Sequence, residues 1–198
     1  MFVMITYNIY VIKVKLFLTP IAYIETITYM IELSNSEIGL CLNFSYAVTA
    51  RTEKYYKVRN KYASTEKLIF DHFSGKLAEL AVLKHLDKKG YLVSYPCFKL
   101  SNSGDSGADL TTFSRELNKI SNVHVKCCRF DSPVKDSWLI QRSEINRLGD
   151  DDYFALCVFH SPSQIEVKKI IAHNKIIWKQ PVLKSLESKA ACYLVDMI

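Results

Sequence analysis

From Glu66 to about Lys88 the chain has the spacing of one long helix, and beyond Gly90 it reads as a series of short strands with two helices among them. Leu68, Leu77, Leu80, Ala81 and Leu86 recur at helical intervals. Gly75 weakens the middle of that helix, and the run Lys88-Lys89-Gly90 supplies basic residues in the last turn and a stop. Strand-like segments come next at 91–96, 108–113, 121–129, 152–160 and 165–172, with a short helix over 142–148 and a last helix over 182–194. One helix, three strands, a short helix and two further strands predict an α/β fold whose central mixed sheet is flanked by helices.

The region before this core looks different. Residues 1–50 are rich in Tyr, Ile and Thr and read as strands at 3–18, 21–33 and 38–49, with a turn at Ser34–Glu37. The expected organisation is therefore a β-rich N-terminal extension, 1–50, and a domain over 51–198 with its core at about 66–172. Lys13 and Lys15 interrupt the apolar N-terminal run, which fits neither a signal peptide nor a clean membrane span. Six cysteines without a CxxC pair suggest buried free thiols in a reducing, intracellular (cytoplasmic) setting.

At 198 residues, 49% hydrophobic and 23% charged, the chain can bury a core and is not disordered by composition. Its net charge of +6 is compatible with a nucleic-acid partner but does not require one. The basic residues concentrate in 51–67, where Lys54, Lys57, Arg59, Lys61 and Lys67 alternate with tyrosines; this is a candidate phosphate-contacting segment or a solvated helix face. Gln141 and Arg142, ahead of the short helix, are further candidates for DNA contact.

Three polar residues stand out against this background. On a helical wheel Glu79 falls among Gly75, Val82, Leu83 and Leu86, a largely apolar face. A carboxylate there needs a cation, a hydrogen-bond network or a metal. In Asn122–Arg129 (NVHVKCCR) the alternation puts Val123, Val125 and Cys127 on one face and His124, Lys126 and Cys128 on the other. Upstream, Asp109 stands between Ala108 and Leu110 at the start of a strand, and a hairpin from 108 to 129 would carry it beside His124 and Lys126. Glu79 and Asp109, with the carbonyl of Val125, are an oxygen set suited to Mg²⁺.

A helix with Glu79, a strand with Asp109 and a strand with HVK resemble the PD-(D/E)xK, or restriction-endonuclease-like, nuclease superfamily. The resemblance covers roughly 66–160. It implies a restriction-endonuclease-like core and a metal-dependent DNA endonuclease, often a homodimer, with no membrane partner. The site residues it implies are Glu79, Asp109, His124 and Lys126, with Mg²⁺ held by Glu79, Asp109 and Val125. His124 is a departure, since the family has an acid or Gln there; histidine is a softer ligand and would favour Mn²⁺. It fits equally a protein that keeps the fold and binds nucleic acid without cutting it. A second register, with Glu166 and Lys168 as a literal ExK after Asp152, lacks room for its helix and an intervening strand, and an exposed alternating strand explains it as well.

Overall fold

The computed structural model describes residues 28–59, 64–100, 108–114, 118–132 and 136–194. The strand expected at 3–18 lies outside them. Within 21–33 the strand β1 covers Tyr29–Glu32.

The strand expected at 38–49 is instead part of a helix, α1, Asn35–Arg59, which runs through the division drawn at residue 50. Its start explains the difference. Ser34 Oγ accepts from the amide of Glu37 at 3.3 Å, and Glu37 Oε2 accepts from the amide of Ser34 at 2.7 Å. Ser34-Asn35-Ser36-Glu37 is thus a capping box rather than a turn. Cys41, Ser45 and Thr49, four residues apart, form its buried stripe. The hydroxyl of Ser45 is satisfied within the helix by Cys41 O at 2.6 Å. Three small side chains let α1 pack closely on the next helix.

That helix, α2, spans Thr65–Lys88 as its periodicity predicts, with Ser64 Oγ capping the amide of Lys67. It stops at Gly90, whose φ of +83° is the left-handed conformation glycine adopts without strain. The strands are then β2, Leu92–Val93; β3, Leu110–Ser114; β4, Lys119–Arg129; β5, Ser137–Gln141; β6, Tyr153–Ser161; β7, Gln164–Ala172; and β8, Lys189–Tyr193. The short helix α3 is Arg142–Ile145.

Six strands form one mixed sheet in the order β1-β7-β6-β4-β3-β2. Only β4 and β6 pair in parallel, Val123 opposite Tyr153 and Lys126 opposite Leu156. Parallel neighbours need a long crossover, and residues 130–152, with β5 and α3, supply it. The two faces of the sheet are covered differently. On one, Leu77, Leu80, Ala81 and Val82 of α2 pack against Leu110, Val123, Ala155, Cys157 and Val167. On the other, Phe154, Leu156 and Val158 meet Trp138 and Ile140 of β5 and Ala190 and Cys192 of β8.

The helix expected over 182–194 is therefore a correction: a single 3-10 turn at Lys184–Leu186, then β8. Its composition suits a helix, but tertiary pairing overrides propensity. Trp138 opposes Cys192 and Ile140 opposes Ala190, so large side chains of β5 meet small ones of β8. Trp138 Nε1 also donates to the carbonyl of Cys157 at 3.0 Å, which ties this two-stranded layer to the large sheet.

Candidate functional site

Alternation along β4 decides what meets at the site. Val123, Val125 and Cys127 turn toward α2, and His124, Lys126 and Cys128 turn toward the β5–β8 side. Leu110 of β3 pairs with Val123, so the next residue back, Asp109, comes level with His124. Its Oδ2 accepts the amide hydrogen of Val125 at 2.6 Å. The expected neighbourhood of Asp109, His124 and Lys126 is thus present.

These three line one cleft of about 410 Å³, with Glu144 and Arg147 from α3 and the turn after it, and with Asp152. Asp152 is the residue before β6, and the parallel register places it level with Asn122, two residues before His124. Its carboxylate is surrounded by donors. Asn122 Nδ2 reaches Oδ1 at 3.0 Å, and the amide of Gly149 reaches Oδ2 at 2.9 Å. His124 Nε2 lies 3.3 Å from Oδ2. The ring of His124 packs on Phe154 with centroids 5.4 Å apart.

Glu79 is elsewhere. It is buried on α2, and its Oε2 accepts from Lys76 Nζ at 2.7 Å. Lys76 is itself buried, its ammonium 5.2 Å from the ring centroid of Phe44 on α1 and 5.8 Å from that of Phe98. The acid on the apolar face has thus met a cation from its own helix, on the layer opposite the face of β4 that carries His124 and Lys126. Glu79 does not line the cleft.

The cleft offers hard oxygen donors, Asp109, Glu144 and Asp152, with one imidazole, a composition that suits a hard divalent ion. Among the described residues no three His, Cys, Asp or Glu side chains converge as a ready-made cage. Such an ion would therefore rely on Asp109 and on oxygens from substrate and water, as Mg²⁺ commonly does.

The other candidates are spread out. Lys54 is exposed on α1, and Lys67 pairs with Asp71 at 2.9 Å. Lys57 and Arg59 fall in the last turns of α1, and Lys61 lies outside the described residues. Arg142 turns to the side chain of Gln180 and the carbonyl of Glu187, and Gln141, which closes β5, does not line the cleft. The cleft arginine is Arg147, one turn further on. Sequence reasoning missed Arg147 and gave Asp152 a place only in the second register, apart from His124. Each sits in a short polar loop, and only the parallel register brings that loop to β4.

Glu166 and Lys168 form a separate cluster. Glu166 Oε1 pairs with Lys168 at 2.8 Å and Oε2 with His160 at 2.8 Å. Burial raises the Glu166 pKa, but the bonds from Lys168 and His160 outweigh it and hold the carboxyl below its ordinary range. All six cysteines are free, and burial pushes the Cys128 thiol up to about 11 and Cys127 and Cys157 higher still, which makes these three poor nucleophiles. Among the described residues no helix is long and apolar enough to cross a membrane. Compared with known proteins, the chain matches no family model and no curated sequence.

Proposed function

We propose that the protein is a metal-dependent DNA endonuclease of the restriction-endonuclease-like kind, hydrolysing phosphodiester bonds with water. The observation that carries this reading is the bond from the Val125 amide to Asp109, which holds a carboxylate beside the residue between His124 and Lys126. The order of elements supports it: helix α2, the antiparallel run β2-β3-β4, a short helix, then β6 parallel to β4. The positive net charge suits a polyanionic substrate.

In this reading Asp109 would hold Mg²⁺ or Mn²⁺, which when bound would supply charge neutralisation at the scissile phosphate and activation of water. Lys126 has no ion pair among the described residues, and its ammonium steadies charge that develops on the phosphoryl oxygens. Arg147 binds a neighbouring phosphate and fixes the register of the strand in the cleft. Glu79 contributes through the buried pair with Lys76, whose ammonium lies over Phe44 of α1. Double-strand cutting would require two copies of the chain or two successive encounters.

The test is incubation with supercoiled plasmid and with branched DNA in Mg²⁺, Mn²⁺ or EDTA, beside Lys126→Ala and Asp109→Asn. Metal-dependent cleavage that both substitutions abolish is the expected result. The rival reading, a nucleic-acid-binding protein without nuclease activity, draws on the engagement of Glu79 by Lys76 and of His124 by Asp152. DNA retardation in EDTA without cleavage in either metal would favour it.

A further inference from the structure

We propose that Asp152 is the positioning residue of the cleft: it fixes the imidazole of His124 with the proton on Nε2 and leaves the Nδ1 lone pair to accept a hydrogen bond from the attacking water. The inference deepens the nuclease reading and rests on it for the role of that water. The orientation of the ring stands on geometry alone.

Two of the groups bonded to Asp152 can only donate. The Asn122 Nδ2 amide holds Oδ1 at 3.0 Å and the Gly149 amide holds Oδ2 at 2.9 Å. A carboxylate placed by two N–H donors presents acceptor oxygen to its third neighbour, so the ring nitrogen 3.3 Å from Oδ2 is the one that carries hydrogen. In a neutral imidazole the other nitrogen then holds the lone pair. The ring cannot easily swing away, because Phe154 lies against it, and the side chains of His124 and Asp152 are only 19% and 11% exposed. Asp152 is placed by backbone as well: its amide donates to the carbonyl of Gly149 at 3.0 Å, and its carbonyl accepts the amide of His173 at 2.8 Å. The turn and the register of β6 therefore set the carboxylate before any substrate arrives.

The contact with water forms and breaks no covalent bond. The water donates one O–H to Nδ1, which turns an oxygen lone pair toward the phosphorus atom. The carboxylate acts only through the imidazole, like the aspartate that orients histidine in hydrolytic triads.

Asp152→Ala separates this role from simple support. It removes Oδ2, the oxygen that the Gly149 amide and Nε2 share, so nothing fixes the ring in one tautomer. The measurement is long-range ¹H–¹⁵N correlation of the full-length protein labelled at histidine, at mildly alkaline pH, with His124 assigned from the spectrum of His124→Gln. Steady-state cleavage of a fluorescent duplex is recorded beside it. The expected result is Nε2–H in the native protein and a mixture of Nε2–H and Nδ1–H in Asp152→Ala. With it, kcat falls about tenfold or more, KM stays within about twofold, and Asp152→Glu recovers part of kcat. Nδ1–H in the native protein, or native kcat in Asp152→Ala, would overturn the proposal. Should Asp152→Ala fail to fold, the tautomer of the native protein still decides. A native protein that cuts no DNA yet shows Nε2–H would sink the nuclease reading and leave the orienting role of Asp152 in place.

Discussion

The carboxylate of Asp109 accepts the backbone amide of Val125 at 2.6 Å, across the β3–β4 pair. This one bond places an acid next to the two side chains, His124 and Lys126, that leave β4 on the cleft face. It makes a specific demand on substitutions. In Asp109→Asn the amide oxygen can still accept from Val125, so stability should change by less than about 1 kcal/mol while cleavage is lost. Asp109→Ala leaves the amide without its partner and should cost about 1–3 kcal/mol in urea denaturation as well.

Lys126→Ala removes a cation from the cleft without emptying the core. Cleavage should fall by about 10²–10³ at saturating DNA, with little change in stability. Single-turnover rates on a short duplex would show whether the loss lies in the chemical step.

Arg147 and Arg142 make opposite predictions although they are near neighbours in the chain. Arg147 lines the cleft, and Arg142 is engaged by Gln180 and Glu187. Arg147→Ala should lower DNA affinity in EDTA and reduce the slope of log K against log salt by about one. Arg142→Ala should leave that slope unchanged. Fluorescence anisotropy over a salt series measures both.

Glu79 and Lys76 are a buried pair, their side chains 8% and 7% exposed. Removing one partner strands the other charge among Phe44, Phe98 and the α1 stripe. Glu79→Ala should therefore cost about 3–5 kcal/mol. The joint change of Lys76 to Met and Glu79 to Leu should cost much less, and chemical denaturation of the three variants reads the difference. A catalytic Glu79 would instead show in Glu79→Gln as lost cleavage at near-native stability.

His85 gives the protein a stability that depends on acid. Burial, and then Lys89 and Lys88, push its pKa from the ordinary 6.5 down to about 4, so the folded ring stays neutral where the unfolded one takes a proton. The contribution is complete above pH 6.5 and is lost as the pH falls toward about 4. It amounts to roughly 2–3 kcal/mol over that window. Urea midpoints measured from about pH 7 down to about 4.5 should fall more steeply for the native protein than for His85→Gln.

Much of the architecture was legible because it is written in short periods. The α2 spacing and its Gly90 stop, the alternation of β4 and the runs at β6 and β7 all depend on residues within a few positions of each other. So did the neighbourhood of Asp109, His124 and Lys126, since a hairpin joins them. What failed was local pattern without its partner. The segment 38–49 has strand-like composition, yet Ser34 and Glu37 cap it as helix and its small residues lie against α2. The segment 189–193 has helical composition, yet it pairs with β5 because Ala190 and Cys192 leave room for Ile140 and Trp138.

By itself the sequence determined a mixed α/β chain, an acid on an apolar helix face, and a strand with His124 and Lys126 on one side. Lys76 stands three residues before Glu79 on the same helix, a spacing the sequence itself contains; only the tertiary structure decided that the pair would be buried, beside Phe44 of α1. Asp152 came to His124 because β4 and β6 pair in parallel across a long crossover. No local period spans the distance from β4 to β6, so this second partnership could not be read before the sheet was assembled.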